Sequence, residues 1–230
     1  MERYSEIKEK RPREIVLLRG SGCAYGQCVF CDYHLDKDSD EAANFALNRE
    51  VLSRVTGRYG ELEVINSGSV FELDEATMGL IKALCKEKRI ATLHLESHYI
   101  YANRIEKLRK FFDGMSVKMK LGLETFDYGF RENVLKKGIS DFSPEIISRH
   151  FDEANFLFGI SGQTRLSMER DIELGLKFFE RICINVMCEN STPVKPDKTV
   201  IDTFLKYIYP RIEGNERVDV LLSNTDFGVG

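Results

Sequence analysis

The chain has 230 residues, a formal net charge of −4, 43% hydrophobic residues and 30% charged residues. Such a length suits one large domain, or at most two small ones, and a core that needs no disulfide staples, and the acidic balance argues against a module that grips nucleic acid by phosphate neutralisation alone. The start, "MERYSEIKEKRPRE", is too charged for a signal peptide, and no apolar stretch approaches the roughly 20 residues that a membrane span needs.

Taken in chain order, short apolar runs recur, each followed by an amphipathic stretch. They are "IVLLR" (15–19), "LEVINS" (62–67), "IATLHLE" (90–96), "VKMKLGLE" (117–124), "NFLFGI" (155–160), "ICINVM" (182–187) and "VDVLLS" (218–223). Helices are expected between them. In "DEATMGLIKALCKEK" (74–88), Met78, Ile81, Leu84 and Cys85 fall at three-to-four spacing behind Asp74 and Glu75. "SPEIISRHF" opens with a capping Ser143, and Pro144 suits a first helical turn. Strands alternating with helices imply parallel β-α units, and seven strands fall short of the eight in a full barrel of about 250 residues. The expectation is an α/β protein with a partial (β/α)6 TIM-like barrel, one domain over residues 1–230. Neither a linker nor an internal repeat interrupts it.

In such a barrel, ligands sit at the carboxyl ends of the strands. Those ends carry Gly20-Ser21-Gly22-Cys23, Asn66-Ser67-Gly68-Ser69, Glu96-Ser97-His98, Glu124-Thr125, Ser161-Gly162-Gln163 and Cys188-Glu189-Asn190. The expected compartment is the cytoplasm, where thiols stay reduced, so the six cysteines read as metal ligands or small buried hydrophobes. Cys23, Cys28 and Cys31 fall at C-x4-C-x2-C spacing in a loop spanning 20–34. One reading is a structural zinc site completed by His34. The other is a [4Fe–4S] cube with three thiolate ligands, which leaves one iron open, and an open metal position marks a catalytic site. Cys85 and Cys183 read as core, and the role of Cys188 stays open.

The loop resembles the C-x3-C-x2-C motif of the radical S-adenosylmethionine (SAM) superfamily, with one residue added in the first interval. "NSGSVFE" (66–72), "HLESHYI" (94–100) and "KLGLETFDYGFRENVLKKGIS" (120–140) resemble segments of its tRNA-modifying branches. The resemblance implies a partial barrel of the radical SAM type, a [4Fe–4S] cluster on Cys23, Cys28 and Cys31, and SAM as cofactor. It places Phe30 beside the SAM adenine, Ser67, Gly68 and Ser69 at the amino group, Glu96 in the third-strand segment, Glu124 at the ribose and Arg131 at the carboxylate. Ile160, Ser161 and Gly162 would flank the adenine. No side chain is assigned a catalytic role, because the cofactor supplies the radical.

The chain also resembles the single-domain lyases of bacterial queuine salvage, which implies a small-molecule substrate, a deazapurine base. A guanine-like edge wants a carboxylate. Asp226 is the first candidate, followed by Asn224, Glu189, His98, Tyr33 and His34, with the C-terminal strand and tail, 218–230, completing the pocket. An electron donor such as flavodoxin or ferredoxin is implied, and nucleic acid and membrane are not. Other radical SAM chemistries, a tRNA modification or the activation of a glycyl-radical enzyme, remain open.

Overall fold

The computed structural model describes residues 2–222, with His34 described by its backbone alone. It contains a mixed sheet whose eight strands follow one another in chain order. The chain forms two compact units.

The first unit comprises residues 1–26 and 33–120. It opens with β1 (Tyr4–Ile7), antiparallel to β2 (Arg13–Leu18), with Tyr4 opposite Val16. β1 lies outside the seven expected runs. Its four residues are all only half-buried, so it lacks the apolar signal of an interior strand. Parallel strands β3 (Glu61–Asn66) and β4 (Thr92–Ser97) follow, with Leu18 beside Asn66 and Val64 beside Leu95. The crossovers are helical, as parallel pairing requires. α1 (Glu41–Leu52) is capped by Asp40, which accepts from Ala42 N and Ala43 N. α2 (Glu75–Glu87) is capped by Asp74, which accepts from Thr77 N. α2 buries Ile81, Leu84 and Cys85 of the expected stripe, whereas Met78 is only half-buried and Thr77 is buried in the turn beside it. α3 (Ile105–Phe111) leads to β5 (Ser116–Glu124). At the entrance of these strands, Glu63 takes ion pairs from Arg13, at 2.5 Å, and from Lys120.

The second unit comprises residues 27–32 and 121–230. After the end of β5 come α4 (Pro144–Ser148), β6 (Glu153–Phe158), α5 (Arg165–Phe178), β7 (Arg181–Val186), α6 (Lys198–Tyr207), α7 (Tyr209–Ile212) and β8 (Val218–Leu221). β6, β7 and β8 pair in parallel, with Glu153 beside Arg181 and Ile182 beside Val218. Phe156, Phe158 and Phe204 are fully buried in a chain of ring contacts. Gly175 lets α5 close on the sheet, because a Cβ there would stand 2.9 Å from the Phe156 ring. Arg181 is buried at the strand entrance against Glu153 and Asp219, each at 2.8 Å.

Among the described residues, no helix is long and apolar enough to cross a membrane, and no disulfide joins any of the six cysteines. Cys85 and Cys183 are buried, as expected of core residues. Burial pushes the Cys85 thiol up to about 12.

Candidate cofactor site

In the first unit, Glu72 organises the start of the cysteine loop. Its Oε1 accepts from the Ala24 N–H at 2.7 Å and from the Tyr101 hydroxyl at 3.0 Å, while its Oε2 accepts from Ser69 N at 2.5 Å. The Tyr101 hydroxyl is pushed up to about 12, first by burial and then by the Glu72 carboxylate. Gly68 sits inside this arrangement. A Cβ there would lie 2.1 Å from Glu72 Oε2 and 3.2 Å from the backbone of Cys23, so the Asn66–Ser69 turn and the Cys23 backbone can meet this closely only with a bare glycine.

The hydroxyl of Ser69 donates to Ser97 Oγ at 2.9 Å and accepts from His98 N at 3.0 Å. Asn66 Nδ2 donates to the Ser69 carbonyl. The other oxygen of that amide, Asn66 Oδ1, is buried and has no hydrogen-bond partner among the described residues. A buried acceptor without a donor is costly, and this one suits the ammonium of a bound ligand. Ser67 is buried and its hydroxyl accepts from Gly20 N at 3.4 Å. His98 is buried, stacks on Tyr25 with centroids 4.5 Å apart, and accepts from Ile100 N through Nδ1. Glu96 is half-buried on β4. Tyr33 opens a short helical turn, 33–35, that also contains His34.

In the second unit, Cys28 and Cys31 flank Phe30, which packs on the buried cluster of Leu135, Leu157, Ile160 and Met187. Phe30 and Ile160, both expected beside an adenine, therefore share one apolar wall. Ser161 is exposed, and Gly162 takes a left-handed φ of +96° with the Phe130 ring 3.2 Å from where a Cβ would stand. Ile160 is fixed by Gln163, whose side chain accepts from Ile160 N and donates to the Leu157 carbonyl.

The stretch around the two thiols is sewn down at three points. Val29 N donates to the Leu135 carbonyl at 3.2 Å. Asn190 Nδ2 donates to the Phe30 carbonyl at 2.8 Å. Ser191 donates to Asp32 through both its N–H and its hydroxyl. Neighbouring Glu189 is turned outward and pairs with Lys195 at 3.3 Å.

Glu124 ends β5 with a left-handed φ of +70°, a conformation uncommon outside glycine. Its carboxylate pairs with Lys137 at 2.8 Å, and both residues are 7% exposed. Burial works against the Lys137 ammonium, but Glu124 and the Cys28 and Cys31 sulfurs outweigh it and hold the lysine charged.

Arg131 lies in a π-helical turn, Phe130–Val134, and is wholly buried. Its guanidinium donates to Glu132 Oε1, to the Thr125 carbonyl, and to the carbonyls of Ile139 and Asp141. The fork is thus spent on the protein's own acceptors. A cation beside the cysteine stretch is Lys137, which sequence reasoning left without a role although it forms a Lys-Gly pair with Gly138 in the quoted segment 120–140. Glu72 also went unassigned. Asn224 and Asp226 lie outside the described residues. Among those described, no three His, Cys, Asp or Glu side chains close on a point that would hold a single metal ion.

No protein-family model matches the sequence. An uncharacterised protein of Methanocaldococcus jannaschii is 24% identical over 143 residues, 55% of this chain and 39% of that protein, so the chain spans well under half of that curated relative. Streptococcus suis SuiB shares the fold at 14% identity and a TM-score of 0.54, over 89% of this chain and 48% of its own. Methylornithine synthase does so at 13% and 0.58, over 94% and 73%. A structure of queuine lyase from Clostridium spiroforme, bound to SAM and queuine, is 45% identical with a TM-score of 0.95, over 100% of this chain and 99% of its own. The mixed α/β fold is therefore the partial barrel of the radical SAM type. With nearly half of all positions shared over the full length of both sequences, the chain belongs to the queuine lyase family of radical SAM enzymes.

Proposed function

We propose that this protein is a radical SAM lyase that cleaves queuine and returns 7-aminomethyl-7-deazaguanine, in the salvage of queuosine. The observation that carries this reading is the full-length likeness to a queuine lyase bound to SAM and queuine.

The residues present fit the two cofactors. Three thiols within nine residues suit a [4Fe–4S] cluster with one open iron, and Cys23, Cys28 and Cys31 would hold it. When bound, cluster and SAM together supply the one-electron cleavage that yields a 5′-deoxyadenosyl radical. The chain's own groups bind and orient. Gly68 leaves a bare backbone beside Cys23, and Asn66 Oδ1, without a hydrogen-bond partner among the described residues, offers an acceptor to the SAM ammonium. Glu124 accepts from ribose hydroxyls. Phe30 and Ile160 form an apolar wall for the adenine. The substrate roles of Asp226, Asn224, Glu189, His98, Tyr33 and His34 belong to the same proposal, with Asp226 taking the guanine-like edge. A flavodoxin or ferredoxin in the cytoplasm supplies the electron, and tRNA is not a substrate.

An anaerobic turnover assay read by mass spectrometry tests this. Free queuine should stimulate 5′-deoxyadenosine formation and disappear into 7-aminomethyl-7-deazaguanine, and intact tRNA should do neither. Deuterium on the cyclopentene diol should appear in 5′-deoxyadenosine. Queuine recovered unchanged, while another metabolite or a tRNA is modified, would falsify the lyase reading.

A further inference from the structure

We propose that Lys137 is a positioning residue of the cofactor site, whose buried ammonium fixes Glu124 and sets the electrostatic potential at Cys28 and Cys31. The inference rests on the radical SAM reading and adds to it a residue that tunes the cluster through its charge.

Four observations converge on this lysine. Its Nζ lies 2.8 Å from Glu124 Oε1. It stands 5.6 Å from the centroid of the Phe30 ring, which lies between the two cysteines in sequence. The Val29 to Leu135 hydrogen bond ties the cysteine stretch to the chain two residues before Lys137. Finally, Gly122 keeps the space open. A Cβ there would stand 3.0 Å from Lys137 Nζ and 3.2 Å from Glu124 Oε1. Strand alternation puts positions 122 and 124 on the same face, so any side chain at 122 would press on the pair.

Both charges are buried, in a medium that screens them poorly. A cluster on three thiolates gains one negative charge when reduced, and a nearby cation favours that state. A nearby carboxylate opposes it. Lys137 and Glu124 therefore pull the reduction potential in opposite directions, and burial, charge and hydrogen bonding are the levers through which proteins tune such clusters. A residue that only filled space would show no such opposition.

The test uses the anaerobically reconstituted full chain and its K137M, K137R, E124Q and K137M/E124Q variants. Iron, sulfide and far-UV circular dichroism are measured first, then the cluster's reduction potential by a titration followed with electron paramagnetic resonance. K137M should make reduction harder by about tenfold in equilibrium, which is 59 mV for one electron. E124Q should shift the potential the other way, the double variant should return near the parent, and K137R should retain most of the parent value. The double variant leaves no unpaired buried charge, so it reports on the pair even where K137M folds poorly. Loaded, folded variants whose potentials coincide, or move in one direction for both single changes, overturn the role of Lys137 and leave the radical SAM reading intact. A parent that binds no iron and sulfide overturns both.

Discussion

The Glu72 carboxylate accepts the backbone N–H of Ala24 at 2.7 Å across 48 residues of sequence. The residue that follows the first cysteine is thereby fixed to the turn after β3 by a side chain that also holds Ser69 N and the Tyr101 hydroxyl. Hydrogen bonds to a charged group are worth about 1.5–3 kcal/mol each. Glu72→Ala should therefore lower the thermal midpoint and release iron to a chelator several-fold faster, with helix content by circular dichroism retained. Glu72→Gln, which keeps one acceptor oxygen, should fall between. An unchanged iron-release rate in Glu72→Ala would show that the loop is held by other means.

Arg131 offers a sharper contrast between two roles. Its guanidinium meets four protein acceptors in full burial. Lysine has no planar fork with which to reach them. Arg131→Lys should cost roughly 3 kcal/mol or more in unfolding free energy, as breaking a buried charged network does. A variant with the parent's melting temperature and a selective loss of SAM affinity would instead restore the carboxylate-binding role that the sequence motif suggests.

Asp171 predicts a pH dependence. Its carboxyl is raised to about 7, first by burial, with hydrogen bonds from Thr125 and Phe126 N opposing. The folded value lies above the ordinary 3.8, so the group contributes stability fully below about pH 4. That contribution is lost as the pH rises towards 7, because the unfolded chain ionises first. Asp171→Asn removes the titration and keeps an amide oxygen for Phe126 N. Its advantage over the parent in denaturant melts should grow between pH 4 and 7, by roughly 1.4 kcal/mol per unit at most, and then level off. Parallel stability curves for the two proteins would contradict this.

The thiols separate in the same way. Changing Cys23, Cys28 or Cys31 to Ser should abolish the brown colour and the roughly four irons per chain of one cube. Cys85→Ala should leave both intact, since that thiol is buried and held protonated. Stoichiometric zinc in anaerobically prepared parent protein would favour the structural-metal reading of the loop.

Much of the sheet is legible in the sequence because interior parallel strands read as near-continuous apolar runs. The expected runs match β2 to β8, but several strands begin earlier than their runs do. Arg13, Glu153 and Arg181 open β2, β6 and β7 and look like surface charges in one dimension. They are buried because ion pairs with Glu63, Arg181, Glu153 and Asp219 compensate them, and pairing across strands leaves no mark on local periodicity. The half-buried β1 was missed for want of any apolar signal. The cysteine loop was plain from spacing alone. Its supports were not. Glu72, Lys137 and Asn190 are ordinary polar residues whose partners stand 48, 13 and 160 positions away. Only the Lys-Gly pair, the segment ending in Glu72 and the place of Asn190 at a strand end gave a trace of them.

The bond from Asn190 to Phe30 has a consequence for biosynthesis. A ribosome adding roughly 5–20 residues per second takes some ten to thirty seconds to make the 160 residues between these positions. During that interval all three thiols have been made, while the strap that fastens the segment of Cys28 and Cys31 does not yet exist. Nascent chains are thus exposed to oxidants and stray metals at the very residues meant for the cluster. A truncated product ending before Asn190 would keep the bonds of Ala24 to Glu72 and of Val29 to Leu135 but would lack the ties at Phe30 and Asp32.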